Sequence, residues 1–261
     1  MTYDLAIKNG TIVTETETFE SDLLVKNELI AGSVAPGTEV DARKEVDASG
    51  KFVFPGVVDP HVHVADPNNI DDFEHGSRAA ALGGVTTFIT FAWQAWVGDQ
   101  SPWDAPGPLR DGVERQLEAG SDSLVDYALH GTISREDDSV LDEIEALVSD
   151  GITSFKLFTA YEFGLSNGFI EQVFDRIAER DAVAVVHTED DSICTAREAE
   201  MRASGQGDPK EYPKSRPEHA EAMAADDAIR MARKAGIKYY GFHTTSRAAA
   251  EVIDKYKADG S

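Results

Sequence analysis

Apolar residues follow two rhythms along this chain. Over residues 1–50 they form short alternating runs separated by turn residues. "YDLAIKNGTIVT" carries Asn9-Gly10 between two strand-like segments, a hairpin signal, and "SDLLVKNELIAGS" turns at Lys26-Asn27. Pro36-Gly37 marks a further turn before "EVDASGKFVFPG". From Phe52 onward short β-rich runs end in polar residues, and each is followed by helical spacing and a glycine. These runs predict strands over 52–63, 85–92, 124–133, 152–160, 182–189 and 237–245. "SVLDEIEALVSDG" and "GFIEQVFDRIAERD" carry the helical period between them, and a helix from Pro217 to Ala235 opens on proline and stops at Gly236. Gly83-Gly84, Gly120, Gly151 and Gly236 fall where helix C-caps are expected.

Strands alternating with helices predict an α/β protein with a parallel sheet and right-handed crossovers. A doubly wound open sheet and a (β/α)₈ barrel both have this alternation. Polar residues end strand after strand here, which favours a barrel face, because an open sheet gathers its ligand residues at one switch point. The expectation is a TIM-type (β/α) barrel of about six βα units over residues 52–261, preceded by part of a small β-sandwich over residues 1–51. Six strands would leave two unpaired edges, an aggregation hazard.

Composition narrows the setting. The chain has 41% hydrophobic residues, a globular composition, and no apolar run near the ~20 residues of a membrane span. Its start lacks a signal-peptide pattern and Cys194 is its only cysteine, so a cytoplasmic location is expected. Acidic residues number 48 against 24 basic ones, for a net charge of −24. That surface repels nucleic acid and anionic membranes. Spread along the chain, the acids suggest a halophilic protein, or simply an acidic bacterial one.

The chemistry begins at "FVFPGVVDPHVHV". With a strand's period of two, His61 and His63 would point to the same side, as metal binding requires. His187 ends "AVAVVHTE", His243 ends "YYGFHTT", and Lys156 interrupts the apolar "SFKLF". A buried ammonium ion is costly, so Lys156 is either paired with a carboxylate or deprotonated. Beside four histidines, a deprotonated amine that captures carbon dioxide is the better account, since its carbamate could bridge two divalent metals.

Taken in order, "FPGVVDPHVHV", "GSRAAALGGVTTFITFA", "VDYALHGTI", "SFKLFTAY", "VVHTED", "SRPEHAEAMAADDAIRMA" and "GFHTTS" resemble the cyclic amide hydrolases of the amidohydrolase superfamily. The pattern is most similar to the dihydropyrimidinase/hydantoinase branch. The resemblance implies that His61 and His63 hold one divalent metal, His187 and His243 another, and carboxylated Lys156 bridges them. Zinc suits those ligands, though manganese, cobalt or nickel could occupy such sites. It implies that Tyr161 steadies an oxyanion; read alone, Tyr161 is equally a loop aromatic. The implied reaction opens the cyclic amide C–N bond of hydantoin or dihydropyrimidine rings by attack of a metal-bridging hydroxide. Relatives of this kind are commonly homo-oligomers, tetramers above all.

The pattern also departs from the family. The family's closing aspartate, on the eighth strand, has no counterpart before Ser261, so a fragment, a split gene product or a truncated chain is expected. Ala65 stands where dihydroorotases carry an arginine for the substrate carboxylate, which points away from acidic rings. Trp93, Trp96 and Trp103 form either an aromatic wall for a ring substituent or packing on the barrel rim. Allantoinase or dihydroorotase chemistry is one alternative, and a non-catalytic homologue serving as a scaffold is another. His130 reads as a support to the ligands or as a core histidine, and His75 and His219 as helix-surface residues. Cys194 reads as structural, and the acidic runs at 135–138 and 189–191 as solvated faces and helix starts.

Overall fold

The computed structural model describes residues 2–67, 69–94 and 107–258. The chain forms two compact units, Met1–Val57 and Val58–Ser261.

In the first unit β1 (Leu5–Val13) and β2 (Thr18–Lys26) pair antiparallel, and β3 (Leu29–Val34) adds to β2. β4 (Glu45–Asp47) and β5 (Phe52–Val53) both lie parallel to β1. Asn9-Gly10 is not the expected turn: β1 runs through it, and the β1–β2 register shifts between Ile7 and Gly10. Asn9 takes a left-handed φ of 60°, and its N–H donates to the buried Asp22 carboxylate at 2.7 Å. The tolerance for that conformation that makes Asn-Gly a turn signal here builds a bulge instead. The β1–β2 hairpin turns at Thr14–Glu17, and the β2–β3 hairpin at Asn27 and Glu28, with φ of 50° and 64°.

The second unit runs β6 (Val57–Asp59), α1 (Phe73–Leu82), β7 (Val85–Trp93), α2 (Leu109–Ala119), β8 (Asp126–Thr132), α3 (Asp138–Ser149) and β9 (Ser154–Phe158). It continues through α4 (Asn167–Ala178), β10 (Val183–His187), α5 (Asp191–Ala203), α6 (Glu218–Ala235), β11 (Lys238–Gly241) and α7 (Arg247–Ala258). β6 to β11 form one six-stranded sheet in chain order, with β7 to β11 parallel neighbour by neighbour. A doubly wound sheet reverses its strand order at a switch point, and this sheet does not. It is an incomplete TIM-type barrel. No helix among the described residues is long and apolar enough to cross a membrane.

Local chemistry sets the element ends. Asp72, Asp137, Ser166 and Asp190 cap the N-termini of α1, α3, α4 and α5 with their side chains. Gly236, at a left-handed φ of 71°, closes α6. Gly120 ends α2 in a right-handed conformation, so close approach rather than φ explains it: a Cβ there would lie 2.1 Å from the Tyr127 ring. The strand expected over 52–63 is split, Phe52–Val53 pairing with β1 and Val57–Asp59 forming β6. Pro55 and Pro60 have no N–H to give to a ladder and interrupt it.

Strand alternation sorts the side chains. On the helix side Leu129, Phe155, Leu157, Ala184 and Val186 join Val113, Ile144, Leu147, Ile170, Val173 and Phe174 in the main core. On the opposite face Phe91, Trp93, Phe158, Val185 and Phe242 form a separate, largely aromatic cluster. Lys156 and His187 share that face by register, each one residue from a core position.

α2 lies tight on the end of β7. A Cβ at Gly112 would meet the Trp93 carbonyl oxygen at 2.1 Å, and backbone cannot swing aside as a flexible side chain would. Gly112→Ala should therefore destabilise the protein by about 1–3 kcal/mol despite alanine's better helix propensity. Urea unfolding of the two forms measures the difference; an unchanged midpoint would refute the close approach.

Candidate active site

Where the barrel strands end, a cavity of about 410 Å³ is lined by His61, His63, Trp93, Lys156, Phe158, Tyr161, Phe163, His187 and His243. All six residues singled out from the sequence as site candidates meet here. His187 is the last residue of β10 and Lys156 the middle residue of β9. His61 and His63 lie beyond β6, so loop contacts place them rather than strand pleating. The His61 N–H donates to Asp59 at 3.0 Å, the Val62 N–H to the Ile89 carbonyl at 3.1 Å, and His130 Nε2 to the Pro60 carbonyl at 2.9 Å. His243 follows β11 with a positive φ of 34°.

The imidazoles cluster. Ring centroids are 5.3 Å apart for His61 and His63, 5.2 Å for His61 and His243, and 4.7 Å for His187 and His243. Nδ1 of His187 and Nε2 of His243 face each other at 3.2 Å, close enough to share one proton or one cation. His61 stacks on Phe242 and His63 on Phe91, each at 4.5 Å.

Lys156 is 1% exposed, and its Nζ has no hydrogen-bond partner among the described residues. Its nearest company is aromatic, with the Phe158 and Phe242 ring centroids at 4.5 and 4.7 Å. Burial pushes its pKa down to about 7. His61 is held near 3, by burial first and then by Lys156 and the other histidines. Burial against its neighbours and the charge of Lys156 press His243 to about 4, although the residue as a whole is solvent-exposed.

The four imidazoles are nitrogen donors of the kind that divalent metals take. Among the described residues no three His, Cys, Asp or Glu side chains gather as one metal site. A metal held by a histidine pair would need a further ligand, and Lys156 Nζ is a buried amine with no hydrogen-bond partner among the described residues whose charge acts on both His61 and His243.

Around this centre the structure brings in residues that the sequence reading passed over. Asp66 is buried and bonded to His63 Nδ1, with Trp93 Nε1 donating to it at 3.4 Å. Glu189 is not on a solvated face: its carboxylate meets His187 Nε2 at 3.1 Å and the Tyr161 hydroxyl at 3.2 Å. Burial opposes ionisation of Glu189, but the contacts with His187, Arg216 and Tyr161 outweigh it and lower its pKa. The Tyr161 pKa is raised by burial and by Glu189; with 37% of the residue exposed, the carboxylate is the firmer cause. Arg216 lies over the faces of Tyr161 and Tyr212 and bonds Glu198 at 2.6 Å. His130 is a satisfied core histidine, accepting from Ser154 at 2.7 Å while holding the loop before His61. Cys194 is buried in α5. Trp96 and Trp103 lie outside the described residues, and Ala65 offers only a methyl group beside His63.

The family model described as the amidohydrolase family matches residues 52–260. The chain is 32% identical to a D-hydantoinase of Streptomyces coelicolor over 97% of its own length and 55% of that protein. It is 34% identical to a D-phenylhydantoinase of Escherichia coli over 88% of this chain and 49% of the relative. The crystal structure of a dihydropyrimidinase from Brevibacillus agri superposes with a TM-score of 0.86 at 28% identity, covering 98% of this chain and 55% of that one. The chain thus spans about half the length of the curated relatives it matches.

The depressed amine makes stability depend on pH. Between about pH 7 and the ordinary lysine value of 10.5 the unfolded chain holds a proton that the folded chain lacks, so stability rises with pH across that window. In metal-free, carbonate-free buffer the wild type should gain on Lys156→Met by up to about 1.4 kcal/mol per pH unit there. Urea unfolding at several pH values gives the difference. A flat difference would show that Lys156 keeps its proton.

Proposed function

The chain belongs to the amidohydrolase family, and from that premise we propose that it acts as a metal-dependent cyclic amide hydrolase on hydantoin or dihydropyrimidine rings. The names of its relatives, D-hydantoinase, D-phenylhydantoinase and dihydropyrimidinase, support the substrate class. The observation that carries the proposal is Lys156, a buried amine without a hydrogen-bond partner among the described residues, in a cavity with four histidines.

His61 and His63 would hold one divalent ion, His187 and His243 the second, with Lys156 between them as its carbamate. Zinc fits imidazole and carbamate ligands. When bound, such a pair supplies a water deprotonated near neutral pH and polarises the ring carbonyl. The residues of the chain do the rest. Trp93, Phe158 and Phe163 wall the cavity with aromatic surface, which seats a flat ring and excludes bulk water. Tyr161 keeps its proton and so can donate to oxygen charge developing on the attacked carbonyl. Ala65 itself offers no cation where dihydroorotases carry an arginine for the substrate carboxylate, which favours hydantoins and dihydropyrimidines over dihydroorotate. The charge of −24 fits a halophilic cytoplasm, and a homo-oligomer, a tetramer by the resemblance, is the assembly proposed for a full-length form.

Two experiments test this. Elemental analysis should find two divalent ions per chain after purification with zinc and bicarbonate, and close to none in Lys156→Ala. No bound metal in the wild type would overturn the metal-dependent reading. Ring opening should be seen with a 5-substituted hydantoin or dihydrouracil and be at least about tenfold slower with dihydroorotate, the loss expected for an unmatched carboxylate. Preference for dihydroorotate would overturn the assignment of substrate.

A further inference from the structure

We propose that Glu189 is the positioning residue that turns Nδ1 of His187 toward His243, and thereby governs whether that pair can hold a cation. The inference rests on the metal-dependent reading above.

A carboxylate only accepts hydrogen bonds. At 3.1 Å from Oε2 of Glu189, Nε2 of His187 must therefore be the protonated nitrogen, which leaves the lone pair on Nδ1. That lone pair faces Nε2 of His243 at 3.2 Å. Among the described residues, Glu189 is the ring's one carboxylate partner, and it selects between the tautomers and holds the ring against flipping. Glu189 is itself fixed on several sides. Its N–H donates to Thr159 Oγ1 at 2.9 Å, and that hydroxyl donates to the Glu189 carbonyl at 2.8 Å. Its Oε2 also accepts from the Tyr161 hydroxyl at 3.2 Å. Its other oxygen, Oε1, faces Arg216 Nε at 3.6 Å, and Arg216 is anchored on its far side by Glu198 at 2.6 Å. The two oxygens thus divide their work, one for the imidazole and the tyrosine, one for the guanidinium. A purely structural ion pair with Arg216 would not need the first oxygen on His187. One carboxylate ties the second histidine pair to the tyrosine proposed as oxyanion donor, so both are placed together.

The test is zinc affinity of the whole chain, measured by competition with a chromogenic chelator. The wild type should hold two ions. Glu189→Ala should weaken one of them by about 10–100-fold and leave the other as it was, the loss typical when a ligand's outer partner is removed. Glu189→Gln, which can still accept from Nε2 through its amide oxygen, should recover part of that loss. Melting temperatures in excess chelator separate folding from binding, and Glu189→Gln carries the test if the alanine variant does not fold. If both ions weaken equally, or neither does, while the wild type binds two, the positioning inference fails and the metal reading stands. If the wild type binds none, the reading itself fails and the inference with it.

Discussion

An amine cannot stay protonated in a dry aromatic box without a countercharge, and the arrangement around Lys156 follows from that constraint. Its Nζ lies against Phe158 and Phe242 and has no hydrogen-bond partner among the described residues, and the residue is 1% exposed. Cation–π contact offsets part of the desolvation cost, but about 1–2 kcal/mol from aromatic faces is less than an unpaired buried charge costs. The chain keeps the lysine all the same. A leucine or methionine would pack as well in β9 and cost nothing to desolvate. Stability alone gives no account of a buried group that is costly and unsatisfied, and reactivity is the account the proposed function rests on.

The barrel geometry turns this one residue into a centre. Register alone puts Lys156 and His187 on the same face, with Phe155, Leu157 and Val186 sent to the helix side. The remaining histidines need loops. Asp59, the Ile89 carbonyl and His130 hold the segment that carries His61, and the positive φ of His243 bends the chain back after β11. The division is physically sensible: strands supply rigidity where the amine must stay buried, and loops supply the freedom to aim imidazoles.

Much of this was legible in the sequence, for reasons that can be named. Polar residues closing otherwise apolar runs gave the barrel face, and the strand order then ruled out the doubly wound alternative. What stayed hidden was of two kinds. Asn9-Gly10 signals a backbone conformation, not its use, so a bulge and a turn look alike until the partner strand is known. Asp66 and Arg216 drew no reading, and Glu189 read as part of a solvated face, because a charged residue shows its partner only in three dimensions. Glu189 sits in an acidic run, "EDD", whose next member caps α5, and nothing local separates the cap from the residue that faces the histidines. Pro55 and Pro60 were the available warning that residues 52–63 could not be one strand.

The basicities of the cavity point in one direction. His61 near 3 and His243 near 4 are largely unprotonated at neutral pH, and Lys156 near 7 has given up about half its proton there. In water a metal ion competes with protons for imidazole and amine lone pairs. Here burial and mutual repulsion have already removed most of that competition. The same burial keeps His61 and His243 from sharing this aromatic-walled space as cations, and lone pairs freed in this way are open to a dication that a proton-saturated imidazole would turn away.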